Sequence, residues 1–71
     1  MKLFKLLKII NPVRYVVIYS PYMKILYSGI CSDVPLKFYN CKVERIVPSN
    51  NKISVMNYFV LYEHFEIFLR D

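Results

Sequence analysis

The sequence predicts a small, mainly β domain with minor α, built of roughly five short antiparallel strands in a half-open barrel or a strongly curved sheet. Three observations carry that expectation. Eight isoleucines, seven tyrosines and five phenylalanines are spread from end to end, and these are strand-favouring residues. Proline and asparagine clusters at Asn11-Pro12, Ser20-Pro21 and Pro48-Ser49-Asn50-Asn51 cut the chain into pieces of strand length. The 71 residues have room for one core only, so the chain reads as a single domain, 1–71.

Met1–Ile10 reads as a short helix or a first strand. Lys2, Lys5 and Lys8 recur every three residues among Leu3, Phe4, Leu6, Leu7, Ile9 and Ile10, which on a helix sets a lysine stripe against a broad apolar face. Asn11-Pro12 ends it, because the residue before proline avoids the helical region. Val13–Tyr19 is the clearest strand, and Ser20-Pro21-Tyr22 turns the chain. Lys24–Ile30 returns, with Ile25 and Tyr27 on one face and Leu26 and Ile30 on the other. Gly29, the chain's single glycine, predicts a bulge or a tight bend within that strand.

Ser32-Asp33-Val34-Pro35 has the chemistry of a helix entry, and one helical turn is expected near 35–39. Cys41–Val47 is a further strand and Pro48–Asn51 a turn. Lys52–Tyr62 alternates, with Ile53, Val55, Phe59 and Leu61 on one face. A hairpin around Tyr62-Glu63-His64 then leads to a last strand that turns Phe65, Ile67 and Leu69 one way and His64, Glu66 and Arg70 the other. Strands in this meander order match an SH3-like or OB-like barrel in size.

Charge and composition narrow the function. Residues 1–32 carry Lys2, Lys5, Lys8, Arg14 and Lys24 and no acid, while the five bases and five acids of 33–71 cancel. A basic N-terminal part suits contact with nucleic acid or an anionic membrane, would equally face the acidic surface of a nuclease, and argues against an acidic mimic of DNA. No stretch approaches 18 apolar residues and Lys5 and Lys8 break the first one, so neither membrane insertion nor secretion is expected. The expectation is a cytoplasmic protein with Cys31 and Cys41 as reduced thiols.

The inventory of reactive groups does not assemble a catalyst. His64, the single histidine, sits beside Glu63 and Glu66, and Ser28 and Ser54 lie in no nucleophile elbow. One glycine cannot build a phosphate-binding loop. Cys31, Cys41, His64 and Asp33 are suitable zinc-ligand types but lack the paired spacing of a zinc knuckle. No enzyme, metal or cofactor is therefore expected, and His64 reads as ordinary surface.

What remains is a surplus of large apolar side chains, with aromatics on both faces of the strands. A domain this small hides one face well, and the second face calls for a partner. Tyrosine and arginine are enriched where proteins meet, because a rigid ring contributes area at small entropic cost. Tyr19, Tyr22, Tyr27 and Tyr58, with Arg14 and Lys24, are accordingly the expected partner-binding residues. The same aromatics and bases would also serve a small nucleic-acid-binding barrel, the alternative reading. A homodimer formed through the second apolar face is compatible with both.

In residue order, the chain resembles small prophage-encoded proteins of low-GC bacteria. A leucine-rich start ending near Asn11-Pro12 is followed by Val16-x-Ile18, Leu26-Tyr27-Ser28-Gly29, Asp33-Val34-Pro35, and Val43 with Ile46, over residues 3–47. That resemblance implies a phage accessory protein that inhibits host defence, anti-CRISPR proteins being one such class. They block a surface of a host nuclease complex and share no catalytic motif, so no site residue carries over. The expected partner is thus a host protein complex, a CRISPR effector nuclease in the leading case.

Overall fold

Helix α1 (Leu3–Ile9) opens the chain in the computed structural model, which describes residues 1–55 and 58–71, with side chains outside 50–63. Its first N–H groups have no partner within the helix. They are satisfied from across the domain, Leu3 N–H donating to the Cys41 carbonyl at 2.8 Å and Phe4 N–H to that of Tyr39 at 3.0 Å. Leu3, Leu6 and Ile10 are buried along one side, and Lys2, Lys5 and Lys8 are exposed. Asn11 then makes a local turn, its side-chain oxygen accepting from Val13 N–H and its carbonyl from Arg14 N–H.

Four strands follow among the described residues: β1 (Tyr15–Tyr19), β2 (Ile25–Ile30), β3 (Val43–Val55) and β4 (Tyr58–Leu69). Two 3-10 turns, Cys31–Asp33 and Leu36–Phe38, link β2 to β3 where a single helical turn was expected near 35–39. The sheet order is β2-β1-β4-β3, with β1 antiparallel to β2, parallel to β4, and β4 antiparallel to β3. The architecture is thus an open mixed sheet, not the five-stranded meander or barrel that the sequence suggests.

Two segments account for the difference. Pro48–Asn51 forms no turn: Pro48, Ser49, Asn50 and Asn51 pair with Phe65, His64, Glu63 and Tyr62 inside β3. An edge strand accepts a proline because one side of its backbone needs no donor. Likewise Tyr62-Glu63-His64 runs straight through β4 in place of the expected hairpin: residues 52–55 of the expected strand 52–62 belong to β3, and 58–62 continue into 65–69 as β4. The expected face of Ile53, Val55, Phe59 and Leu61 lies outside the described side chains.

Register explains the core. Val16 pairs with Phe65 and Ile18 with Ile67, so every second residue of β1 and β4 turns to the same side. There Leu3, Leu6 and Ile10 of the helical segment close over Val16, Ile18, Cys31, Val34, Ile67 and Leu69. Glu44 is an extra residue between Val43, opposite Leu69, and Arg45, opposite Phe68. It lets Val43 reach the core while Arg45 stays on the other face.

Gly29 marks no bulge; the register shift in this pair lies opposite Ile18 and Tyr19. Its reason is the Tyr27 side chain, whose hydroxyl would stand 2.7 Å from a Cβ at position 29. Folded back this way, Tyr27 donates its hydroxyl to the Ile30 carbonyl at 2.7 Å.

The β1–β2 connection contains a strained residue. Met23 has a φ of 67°, a left-handed conformation that disfavours any side chain with a Cβ. It is held by Met23 N–H to the Ser20 carbonyl at 3.0 Å, and by the Ser20 hydroxyl accepting from the N–H groups of Tyr22 and Lys24. Met23→Gly is expected to stabilise the fold by about 1 kcal/mol, raising the melting temperature by roughly 4–8 °C. A thermal melt with no gain would show that the turn is relaxed at this position.

Candidate functional site

One face of the sheet carries α1 and the core; the opposite face has no element laid across it among the described residues. Tyr15, Val17 and Tyr19 of β1 point there, beside His64, Glu66 and Phe68 of β4 and Arg45 and Val47 of β3. Its centre is a column of three side chains. Tyr19 stacks on Phe68 with ring centres 4.8 Å apart and planes 8° from parallel. The Arg45 guanidinium lies over the Phe68 ring at 4.3 Å, a cation–π contact. Tyr19 and Arg45 come from the strands on either side of β4, so both faces of Phe68 are taken.

The column covers its own base. Val17 and Phe68, although on this open face, are only 9% and 8% exposed. The second apolar face is therefore smaller than the sequence suggests, because the large side chains lie across it. A notch of about 350 Å³ opens at the end of the column, lined by Ser20, Pro21, Met23, Glu44, Arg45, Phe68 and Leu69.

Polar contacts extend the column along the face. The Tyr19 hydroxyl lies near the Glu66 carboxylate, which in turn lies 3.7 Å from His64 Nε2. His64 meets the Tyr15 ring edge-on at 6.4 Å, and the Tyr15 hydroxyl bonds the Ser28 hydroxyl. His64 is buried, contrary to the surface position expected for it, since Tyr15 and Glu66 enclose it.

The predicted partner-binding residues occupy separate places. Tyr19 is in the column. Tyr22 is exposed on the β1–β2 turn, next to exposed Lys24. Tyr27 packs on the core side and Arg14 precedes β1 at the far end of the strand from the column. The Tyr58 side chain lies outside the described residues. Sequence reasoning missed Arg45 and Phe68; a cation and an aromatic distant in sequence become neighbours because they lie directly opposite each other in the β3–β4 register.

Cys31 and Cys41 are free thiols, and among the described residues no three of His, Cys, Asp and Glu gather as a metal site would require. A larger hollow of about 630 Å³ lies between α1 and the 3-10 turns, lined by Phe4, Leu7, Lys8, Pro12, Cys31, Ser32, Leu36, Tyr39 and Asn40. Its lining is mainly apolar.

Burial raises the proton affinity of three groups. Desolvation pushes the Tyr19 hydroxyl up, and the Glu66 carboxylate adds to it. The Tyr27 hydroxyl rises through desolvation and then Asp33, and the Cys31 thiol through desolvation. Each native group holds its proton more tightly than in the unfolded chain, so stability is full below the unfolded value and falls as pH climbs through the folded one. Urea midpoints are expected to stay level at neutral pH and to drop once pH passes 9.0, where the unfolded thiol ionises, and further beyond 10.0, where the tyrosines do. A flat profile to pH 11 would remove these three groups from the balance.

Comparison with protein-family models, with curated proteins and with solved structures returns no match. No described helix is long and apolar enough to cross a membrane.

Proposed function

We propose that this chain is a non-enzymatic binding protein that offers the open face of its sheet to another protein. On this reading it is a phage accessory protein that occupies a surface of a host defence complex, a CRISPR-type nuclease complex being the leading case. The observation that carries the binding role is the Arg45–Phe68–Tyr19 column. Its members are stacked before any partner arrives, so little side-chain freedom is lost on binding. Tyrosine and arginine at the centre of a desolvated patch are the residues that dominate interface energies. The notch beside the column would receive one side chain of the partner. Lys24 and Arg14, at the two ends of β1, would steer approach to an acidic surface.

The same geometry argues against a nucleic-acid platform, the alternative. Bases stack on free ring faces, and both faces of Phe68 are already filled by Tyr19 and Arg45.

The test is capture of the tagged chain from lysate of a low-GC bacterium, with and without nuclease, using the parent and a Tyr19→Ala variant. A stoichiometric protein that survives nuclease and is lost with Tyr19→Ala is the expected result. Material that vanishes with nuclease would replace this reading by the nucleic-acid one. A partner held equally by both chains would remove the column from the site.

A further inference from the structure

The hollow of about 630 Å³ between α1 and the 3-10 turns is held open by the chain around it. Phe4 N–H donates to the Tyr39 carbonyl at 3.0 Å, which ties the helix to the far wall. Ser32 N–H donates to the Pro12 carbonyl at 3.0 Å, which ties the segment after α1 to the first 3-10 turn. The buried Cys31 thiol donates to the Leu7 carbonyl at 3.8 Å. Three segments distant in sequence are thus joined through their backbones, and the space between their side chains is preformed. Its size falls within the roughly 300–1,000 Å³ that small-molecule sites occupy.

The lining combines an apolar wall with a cation. Phe4, Leu7, Pro12 and Leu36 supply the wall, and Leu36 is left 77% exposed, so a ligand that covers it removes apolar surface from water. Lys8 is the single charged side chain of the lining. Its ammonium lies 5.5 Å from the centre of the Phe4 ring, and among the described residues no carboxylate pairs with it. Of the charged residues next to the lining in sequence, Lys5 and Lys37 are basic. The single acid, Asp33, acts on the Tyr27 hydroxyl, outside the hollow.

We propose that this hollow binds a single-chain alkyl carboxylate, with its chain along Phe4, Leu7 and Leu36 and its head on the Lys8 ammonium. The sign of the head follows from the charges: the lining holds a cation and no acid. The form of the body follows from the walls. They come from three separate segments around an open trough, which a flexible chain follows and a flat rigid ring would touch on one side only. The hollow lies on the helix side of the sheet, away from the Arg45–Phe68–Tyr19 column. Its occupancy therefore does not depend on what the open face binds.

Titration calorimetry with sodium dodecanoate, kept below its micelle concentration, tests it. A single saturable site per chain is expected, and decanoate, two methylenes shorter, should bind about tenfold more weakly. Dodecyltrimethylammonium, with the same chain and the opposite charge, should bind at least about tenfold more weakly than dodecanoate. Lys8 and Leu36 are both exposed, so their variants leave the core intact. Lys8→Gln is expected to weaken dodecanoate about fivefold, and Lys8→Glu to reverse the preference between the two heads. Leu36→Gln should cost about fivefold for either head. Absence of saturable binding would overturn the proposal, as would equal affinity for both heads or indifference to both Lys8→Glu and Leu36→Gln. A chain that sediments with phosphatidylglycerol vesicles yet ignores monomeric dodecanoate would overturn it too, in favour of a membrane surface.

Discussion

Ile67→Ala is expected to cost about 2–5 kcal/mol of folding free energy, the range for removing a branched side chain from a closed core. Ile67 is fully buried, between Ile18 of the parallel neighbour and Ile46 of the antiparallel one, and beneath the residues of α1. A domain of this length has a total stability of roughly 4–10 kcal/mol, so the loss is a large fraction of the whole. Ile46→Ala, one strand away on the same rung but exposed at the sheet edge, is expected to cost about 1 kcal/mol. Urea unfolding of the two variants measures the contrast. Equal losses would mean that the core is not centred on the β1–β4 pair.

The second large effect concerns binding. Tyr19→Ala and Arg45→Ala are each expected to weaken the captured partner about thirtyfold, the loss of a residue at the energetic centre of an interface. Phe68 is a poorer probe, because it is buried between the other two and its removal would disturb the fold itself. Tyr19→Phe keeps the stacked ring and gives up only the hydroxyl near Glu66; it should bind within a few-fold of the parent. Titration calorimetry with the purified partner reads all three. Parental affinity in both alanine variants would place the contact surface elsewhere on the molecule.

Local structure was legible wherever short-range chemistry decides it. The lysine stripe of Met1–Ile10 fitted the helix, one of the two readings open for that segment, Ser20-Pro21-Tyr22 gave the turn, and Ser32–Pro35 the helical entry now seen as two 3-10 turns. The alternation of Phe65, Ile67 and Leu69 against His64 and Glu66 likewise assigned the two faces of β4 correctly. What local chemistry could not supply was the pairing. Pro48 looks like a stop until β3 is known to be an edge, and the parallel union of β1 with β4 joins residues 49 positions apart, such as Tyr15 and His64. The candidate site suffered the same way. Tyr19 was identifiable as an aromatic on a strand, whereas Arg45 and Phe68 gain their meaning from a register that only the assembled sheet defines.

That long-range union also governs when the protein can exist during synthesis. β4 lies at the centre of the sheet, yet it leaves the ribosome after β1, β2 and β3. Until it does, the β1–β2 hairpin waits with the other flank of β1 unpaired and its apolar side chains exposed, a state in which nascent chains are vulnerable to aggregation and proteolysis. A message truncated ahead of β4 yields the β1–β2 hairpin and a lone β3 with nothing to join them. The chain is therefore committed to fold late and all at once, and its yield in a cell depends on how quickly its final strand is delivered.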